Sequence, residues 1–127
     1  MNILESISRS TSFVPEDATL DDIALILAES SVGIVGITSG GMPVGTLSDR
    51  DLVSRAAALG RDLSKLRAKD LIDRQPVTIE WQSDDSDLMD AFILMCRSKA
   101  KHAVVMRSGI PFGVVSFSAL TRHILVD

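Results

Sequence analysis

The stretch Gly45-Thr46-Leu47-Ser48-Asp49-Arg50-Asp51 places a serine and an aspartate three residues apart, just where an apolar run gives way to an amphipathic one. Two kinds of chemistry use that pair. An ionised carboxylate has only acceptor oxygens, so it takes hydrogen bonds from two neighbouring hydroxyls at once, and such charge-assisted bonds are the stronger class. A serine hydroxyl beside it donates or accepts as required. Gly45 lets the backbone come close to a bound molecule, and a helix starting at Ser48 offers free N–H groups to an anion. The same spacing is also a variant of the capping box, in which Ser48 and Asp51 satisfy the first amides of their own helix. Spacing alone favours the cap, and Ser48 can serve both roles.

A second charged cluster is Arg97-Ser98-Lys99-Ala100-Lys101-His102. Cations at a helix C-terminus offset its dipole; the other reading is contact with phosphate. Arg50 has the same two readings, as a solvated helix residue or a phosphate partner. No enzyme constellation is visible. Two separated histidines and one cysteine give no triad and no zinc spacing. Asp84-Asp85-Ser86-Asp87 lacks the EF-hand spacing and its distal glutamate. Cys96 lies in the apolar run Ala91-Phe92-Ile93-Leu94-Met95 and is expected to be a buried small hydrophobe. A single cysteine excludes an intrachain disulfide and fits a reducing cytoplasm. The formal net charge of −4 argues against a general nucleic-acid binder. The start of the chain lacks an export signal, and the apolar runs are far shorter than the ~20 residues of a membrane span.

The elements that must position these residues occur twice. Gly41-Met42-Pro43-Val44-Gly45-Thr46-Leu47-Ser48 is matched by Gly109-Ile110-Pro111-Phe112-Gly113-Val114-Val115-Ser116, an offset of 68 positions. The same offset carries Leu20 to Leu88, Ile23 to Ala91, Leu27 to Met95 and Leu52 to Leu120. Within one copy, Ser12-Phe13-Val14 reads as a strand ending at Pro15. A helix follows with Leu20, Ile23 and Leu27 on one face. Val32 to Ile37 and Val44 to Leu47 form a hairpin around Ser39-Gly40-Gly41. Ser48 opens a second helix that Gly60 stops. The order β-α-β-β-α repeats in the second half, where Ser116 caps the last helix. The 127 residues suit one compact unit. The division is one module over 1–127, with repeats over 1–60 and 61–127.

The hairpin-then-helix segment from Gly41 to Leu52, the lead-in Lys69 to Thr78 and the duplication together resemble the tandem CBS-domain pair, or Bateman module. The resemblance spans almost the whole chain and implies an α/β fold of two pseudo-symmetric repeats packed face to face. It implies a regulatory function rather than an enzyme: an adenosine-containing ligand, such as AMP, ADP, ATP or S-adenosylmethionine, bound in the cleft between repeats. No cofactor is required, and the expected partners are the nucleotide, a second copy in a homodimer, and a regulated protein in trans. By resemblance, Ser48, Asp51 and Gly45 hold the ribose. The base is expected near Thr11, Ser12, Phe13, Val32, Gly33 and Ile34, and the phosphate near Arg50, Lys101 and His102. Ala119 stands where the second copy should repeat Asp51, which predicts unequal clefts. The alternative function is a structural dimer that has lost its ligand.

Overall fold

The computed structural model describes residues 13–29, 33–60, 62–72, 76–81 and 86–126. The first half runs β1 (Phe13–Pro15), α1 (Leu20–Glu29), β2 (Ile34–Ser39), β3 (Met42–Ser48) and α2 (Asp49–Leu59). A 3-10 turn (Leu63–Lys65) and α3 (Ala68–Leu71) lead to the second half: β4 (Val77–Glu80), α4 (Ser86–Ser98), β5 (His102–Arg107), β6 (Ile110–Ser116) and α5 (Phe117–Val126). Each half has one three-stranded sheet, ordered β1-β2-β3 and β4-β5-β6. In each, the first pair is parallel and the second antiparallel. The helix between the parallel strands supplies the crossover that such strands need.

The duplication is written into the backbone. β2 pairs with β3 in a register that slips between Ile37 and Thr38, opposite Gly45 and Pro43. β5 and β6 slip at the same place, between Val105 and Met106, opposite Gly113 and Pro111. A proline has no N–H to give a ladder, so each copy absorbs its proline in a bulge. The hairpin turns match as well: Gly40 and Gly41 both have positive φ, as do Ser108 and Gly109, the geometry of a turn that follows strand twist.

Helix starts and stops follow the sequence. Thr19 and Asp22 cap α1 reciprocally, the Asp22 N–H donating to Thr19 Oγ1 at 3.2 Å. Ile23 and Leu27 then fall on one face and are buried, as are their counterparts Ala91 and Met95. Gly60 closes α2 in the left-handed conformation, its N–H donating to the Ala57 carbonyl. Cys96 departs from expectation: it is exposed, because α4 turns Ala91 and Met95 inward and its neighbour position outward.

Among the described residues, three apolar clusters hold the molecule. One belongs to the first half and includes Ile23, Val35, Ile37 and Leu47. One belongs to the second and includes Trp81, Met95, Val105 and Leu120. The third, of Ile34, Val104, Met106 and Val114 with Phe13 against it, is drawn from both halves. Leu66, Ala68 and Leu71 pack in the first cluster, and the Ala68 N–H donates to the Ala18 carbonyl at 3.0 Å. In packing, residues 62–72 therefore go with the first half, although the sequence repeat begins the second copy there.

Because Ile34 is buried among side chains of the other half, Ile34→Ala should destabilise by about 2–5 kcal/mol and unfold both halves in one transition. Urea melts followed by circular dichroism and by the fluorescence of Trp81, in the other half, should coincide; separated midpoints would show two independent domains.

Candidate functional site

β3 ends at Ser48, which pairs with Ile34 across the hairpin and is buried. The chain turns directly into α2, and both halves of the capping box form. The Asp51 N–H donates to Ser48 Oγ at 3.1 Å, and the Ser48 N–H donates to Asp51 Oδ2 at 3.4 Å. The second contact is long for an amide bond and uses one carboxylate oxygen. Asp51 is half-buried rather than sealed, so the cap does not exclude a ligand.

Asp51 opens on a cleft of about 390 Å³, within the size range of small-molecule sites. Thr46 of β3, with Asp51 and Arg55 of α2, forms the wall from the first half. Ile72 and Pro76 bring the connecting segment to the floor, with Val77 at the start of β4. The opposite wall is the turn from α4 into β5, Ser98 to His102. Arg55 lies one turn beyond Asp51, and its Nη1 donates to the Leu71 carbonyl at 2.6 Å.

The cleft is built crosswise. The 68-residue offset maps Gly33 and Ile34 onto Lys101 and His102. It also maps the Asp49 N–H bond to the Gly33 carbonyl (3.3 Å) onto the Phe117 N–H bond to the Lys101 carbonyl (2.8 Å). Asp51 of one copy thus faces the strand starts of the other. This relocates several residues expected from the sequence. Lys101 and His102 line the Asp51 cleft. Phe13 and Ile34 do not; they pack in the cluster between the halves. Gly33, at φ +66°, lies beside the Asp49 carboxylate. Thr11, Ser12 and Val32 lie outside the described residues. Arg50 is exposed, its N–H donating to Asp49 Oδ1, and is not among the lining residues.

Gly45 also differs from expectation. A Cβ there would come within 2.6 Å of Ile72 Cγ2 and 2.9 Å of its Cβ. The glycine makes room for Ile72, a cleft residue, and not for a ligand. Sequence reasoning missed Thr46, Arg55, Ile72, Pro76 and Val77. The helical spacing Asp51 to Arg55 was a usable signal, and the two-fold relation of the copies would have found the rest.

Burial pushes the His102 imidazole below its ordinary 6.5; Asp51 opposes this, while Lys101 and Arg55 add to it. Among the described residues, no group of three or more His, Cys, Asp or Glu is placed to hold a metal ion, and no helix is long and apolar enough to cross a membrane.

Fold and cleft together define a class: a duplicated β-α-β-β-α module with a polar crevice between its copies. Comparisons with known proteins agree. Residues 4–58, the first copy, match the family described as CBS domain. The chain is similar to the CBS domain-containing protein YhcV of Bacillus subtilis (strain 168), 22% identical over 123 residues, covering 94% of this chain and 82% of the relative. A solved CBS domain protein of Pyrobaculum aerophilum, complexed with AMP, is 26% identical over the full length of both chains, with a TM-score of 0.74. The CBS domain of a bacterial CNNM/CorC family Mg2+ transporter, complexed with ATP, shares the fold at 19% identity and a TM-score of 0.72, covering 97% of this chain and 86% of that one. The first copy thus matches the CBS domain family, and the whole chain is similar in sequence and fold to solved CBS-domain proteins.

Two outcomes follow from the site's construction. Gly45→Ala should destabilise by about 1–3 kcal/mol through overpacking against Ile72, seen as a lower urea midpoint with an unchanged slope. For His102, the folded state binds the proton less readily than the unfolded chain. The stability that neutral His102 contributes is complete above 6.5 and is lost as pH falls through the lower folded value. Acidification should therefore lower the melting temperature of the natural protein more than that of His102→Gln; equal losses would place the acid sensitivity elsewhere.

Proposed function

We propose that this chain is a ligand-sensing regulatory module, binding an adenosine-containing nucleotide in the Asp51 cleft and passing its occupancy to a partner protein in trans. The observation that carries the reading is the crossing of the halves. A carboxylate fit to accept from both ribose hydroxyls faces Lys101 and His102, groups fit for phosphate, across one crevice. The full-length similarity to a protein complexed with AMP supports the same class of ligand. Ser48 orients Asp51 through the cap, and the apolar Pro76 and Val77 offer a surface for a base. The reading is regulatory: Asp51, Arg55, Lys101 and His102 are groups suited to bind and orient a ligand.

The two clefts are unequal in this reading. Ser116 still caps α5, accepting from the Ala119 N–H at 3.0 Å. Ala119, however, packs against the second core and has no carboxylate for a sugar. By the crossing, that second cleft faces Gly33 and Ile34, which carry no charge. Its composition favours the alternative, a structural module without ligand, for that cleft alone.

A homodimer belongs to the proposal. Leu25 of α1, Met89, Ile93 and Leu94 of α4, Val53 of α2 and Leu125 of α5 are exposed large hydrophobic residues, and a second copy would cover such helix faces.

Replacing Asp51 by asparagine removes the charge while keeping its shape. Calorimetry should show AMP or ATP binding weakened by about 1.5–3 kcal/mol, with circular dichroism unchanged. Equal affinity in the two proteins would remove Asp51, and with it the ribose grip, from the mechanism.

A further inference from the structure

Two constraints from either side of Ser48 meet on one dipeptide of the connecting segment. Gly45 of β3 leaves the space that the Ile72 side chain fills; a Cβ there would lie 2.6 Å from Ile72 Cγ2. Arg55 of α2 donates from Nη1 to the Leu71 carbonyl at 2.6 Å. That carbonyl ends α3, and the last carbonyls of a helix have no partner within it. Leu71 is buried in the first core, where an unpaired carbonyl would be costly. The half-buried Arg55 supplies the bond.

Arg55 stands four residues after Asp51, on the same face of α2, and both line the cleft together with Ile72. The first turns of α2 therefore meet the ligand space and the connecting segment at once. That segment is well tied to the first half. The Ala68 N–H donates to the Ala18 carbonyl at 3.0 Å, and the Lys69 N–H to the Glu16 carbonyl at 2.9 Å. Leu66, Ala68 and Leu71 are buried. Its hydrogen-bonded amides give a local readout of how firmly it is held. It is also the stretch that leads into β4 and the second half.

Resting on the function proposed above, we propose that Arg55 is a positioning residue, which holds residues 71–72 as the floor of the cleft and so couples occupancy of the Asp51 site to the segment joining the halves. Asp51 grips the sugar. Arg55 acts through the Leu71 carbonyl and not on the 5′ substituent of the ligand. A ligand that steadies the start of α2 then steadies the end of α3. Linkage makes the effect reciprocal: whatever the segment adds to affinity, the ligand adds to the stability of the segment.

The test pairs calorimetry with amide hydrogen exchange, using adenosine, which has no phosphate, and AMP, on the natural protein, Arg55→Met and Arg55→Lys. Arg55→Met removes the donor and keeps the stem. It should weaken adenosine and AMP by the same factor, about five-fold or more. In the natural protein, saturating ligand should slow exchange across residues 66–72. In Arg55→Met at equal occupancy that slowing should be lost, while exchange around Asp51 still slows. Arg55→Lys keeps a donor on a compact head without the planar fork. It should retain part of both effects, and it carries the test if Arg55→Met folds poorly. Loss of AMP affinity with adenosine affinity intact would make Arg55 a phosphate contact and overturn the coupling. A lowered melting temperature with both affinities and the ligand-induced slowing intact would make Arg55 a helix-end cap only and overturn it equally. Ligand binding to the natural protein with no slowing across 66–72 would also overturn it. Each of these three results leaves the proposed function standing. Failure of both adenosine and AMP to bind the natural protein would overturn the proposed function and the coupling together.

Discussion

The third apolar cluster fixes everything else about the molecule. Ile34 belongs to one sheet, and Val104, Met106 and Val114 belong to the other; they bury one another. Each half alone would expose that face, and a unit of this size buries too little surface to stand unaided. Packing the two sheets on each other closes the core and sets the geometry of the edges. Ser48 and Ser116 lie at the ends of β3 and β6, opposite Ile34 and His102. Once the sheets are stacked with an approximate two-fold between them, each helix start must look toward the other copy. The cleft is therefore a consequence of how the core is buried, and a ligand in it would touch both halves.

That position bears on how binding could be felt. The floor of the cleft is the connecting segment, with Ile72 seated in the space left by Gly45 and the Leu71 carbonyl accepting from Arg55. Leu71 is buried in the first core, and Val77, a few residues on, begins the second sheet. A group bound between Asp51 and the 98–102 turn would bridge elements of both halves. A ligand shifts an equilibrium only by its differential affinity for the states involved, and a site assembled from both halves is where such a difference can arise.

Much of the architecture was legible in the sequence, because one offset of 68 aligned a helix, a hairpin and a second helix start. Of the residues singled out in the sequence, Asp51, Lys101 and His102 line the cleft, and Ser48 forms the helix cap that its spacing favoured. The site was not legible where the answer depended on which half faces which. Reading Phe13, Gly33 and Ile34 beside Asp51 assumes that a copy completes its own cleft; the stacking sends those residues to the inter-sheet core or to the opposite edge. Cys96 was misread because an apolar helix face is wider than the buried stripe, and only packing decides which flank faces solvent. Gly45 was read as ligand space because the neighbour that fills it, Ile72, lies far along the chain. Periodicity reports local structure, and these three errors concern contacts between distant segments.

The second copy separates what the fold requires from what a ligand requires. Both helices after the hairpins need a cap, and both have it: Ser48 accepts from the Asp51 N–H and Ser116 from the Ala119 N–H, at nearly equal distances. The serine alone thus suffices to start such a helix here. The carboxylate at position 51 adds one long bond to the Ser48 amide, a contribution that α5 does without. A charged group that the helix does not need, half-buried beside Arg55 and opposite Lys101, is difficult to justify by stability, since bringing it out of water is unfavourable unless something pairs with it. The cap accounts for Ser48; at Asp51 it accounts for one long bond. Ala119, by contrast, brings no carboxylate to the start of α5 and packs against the second core.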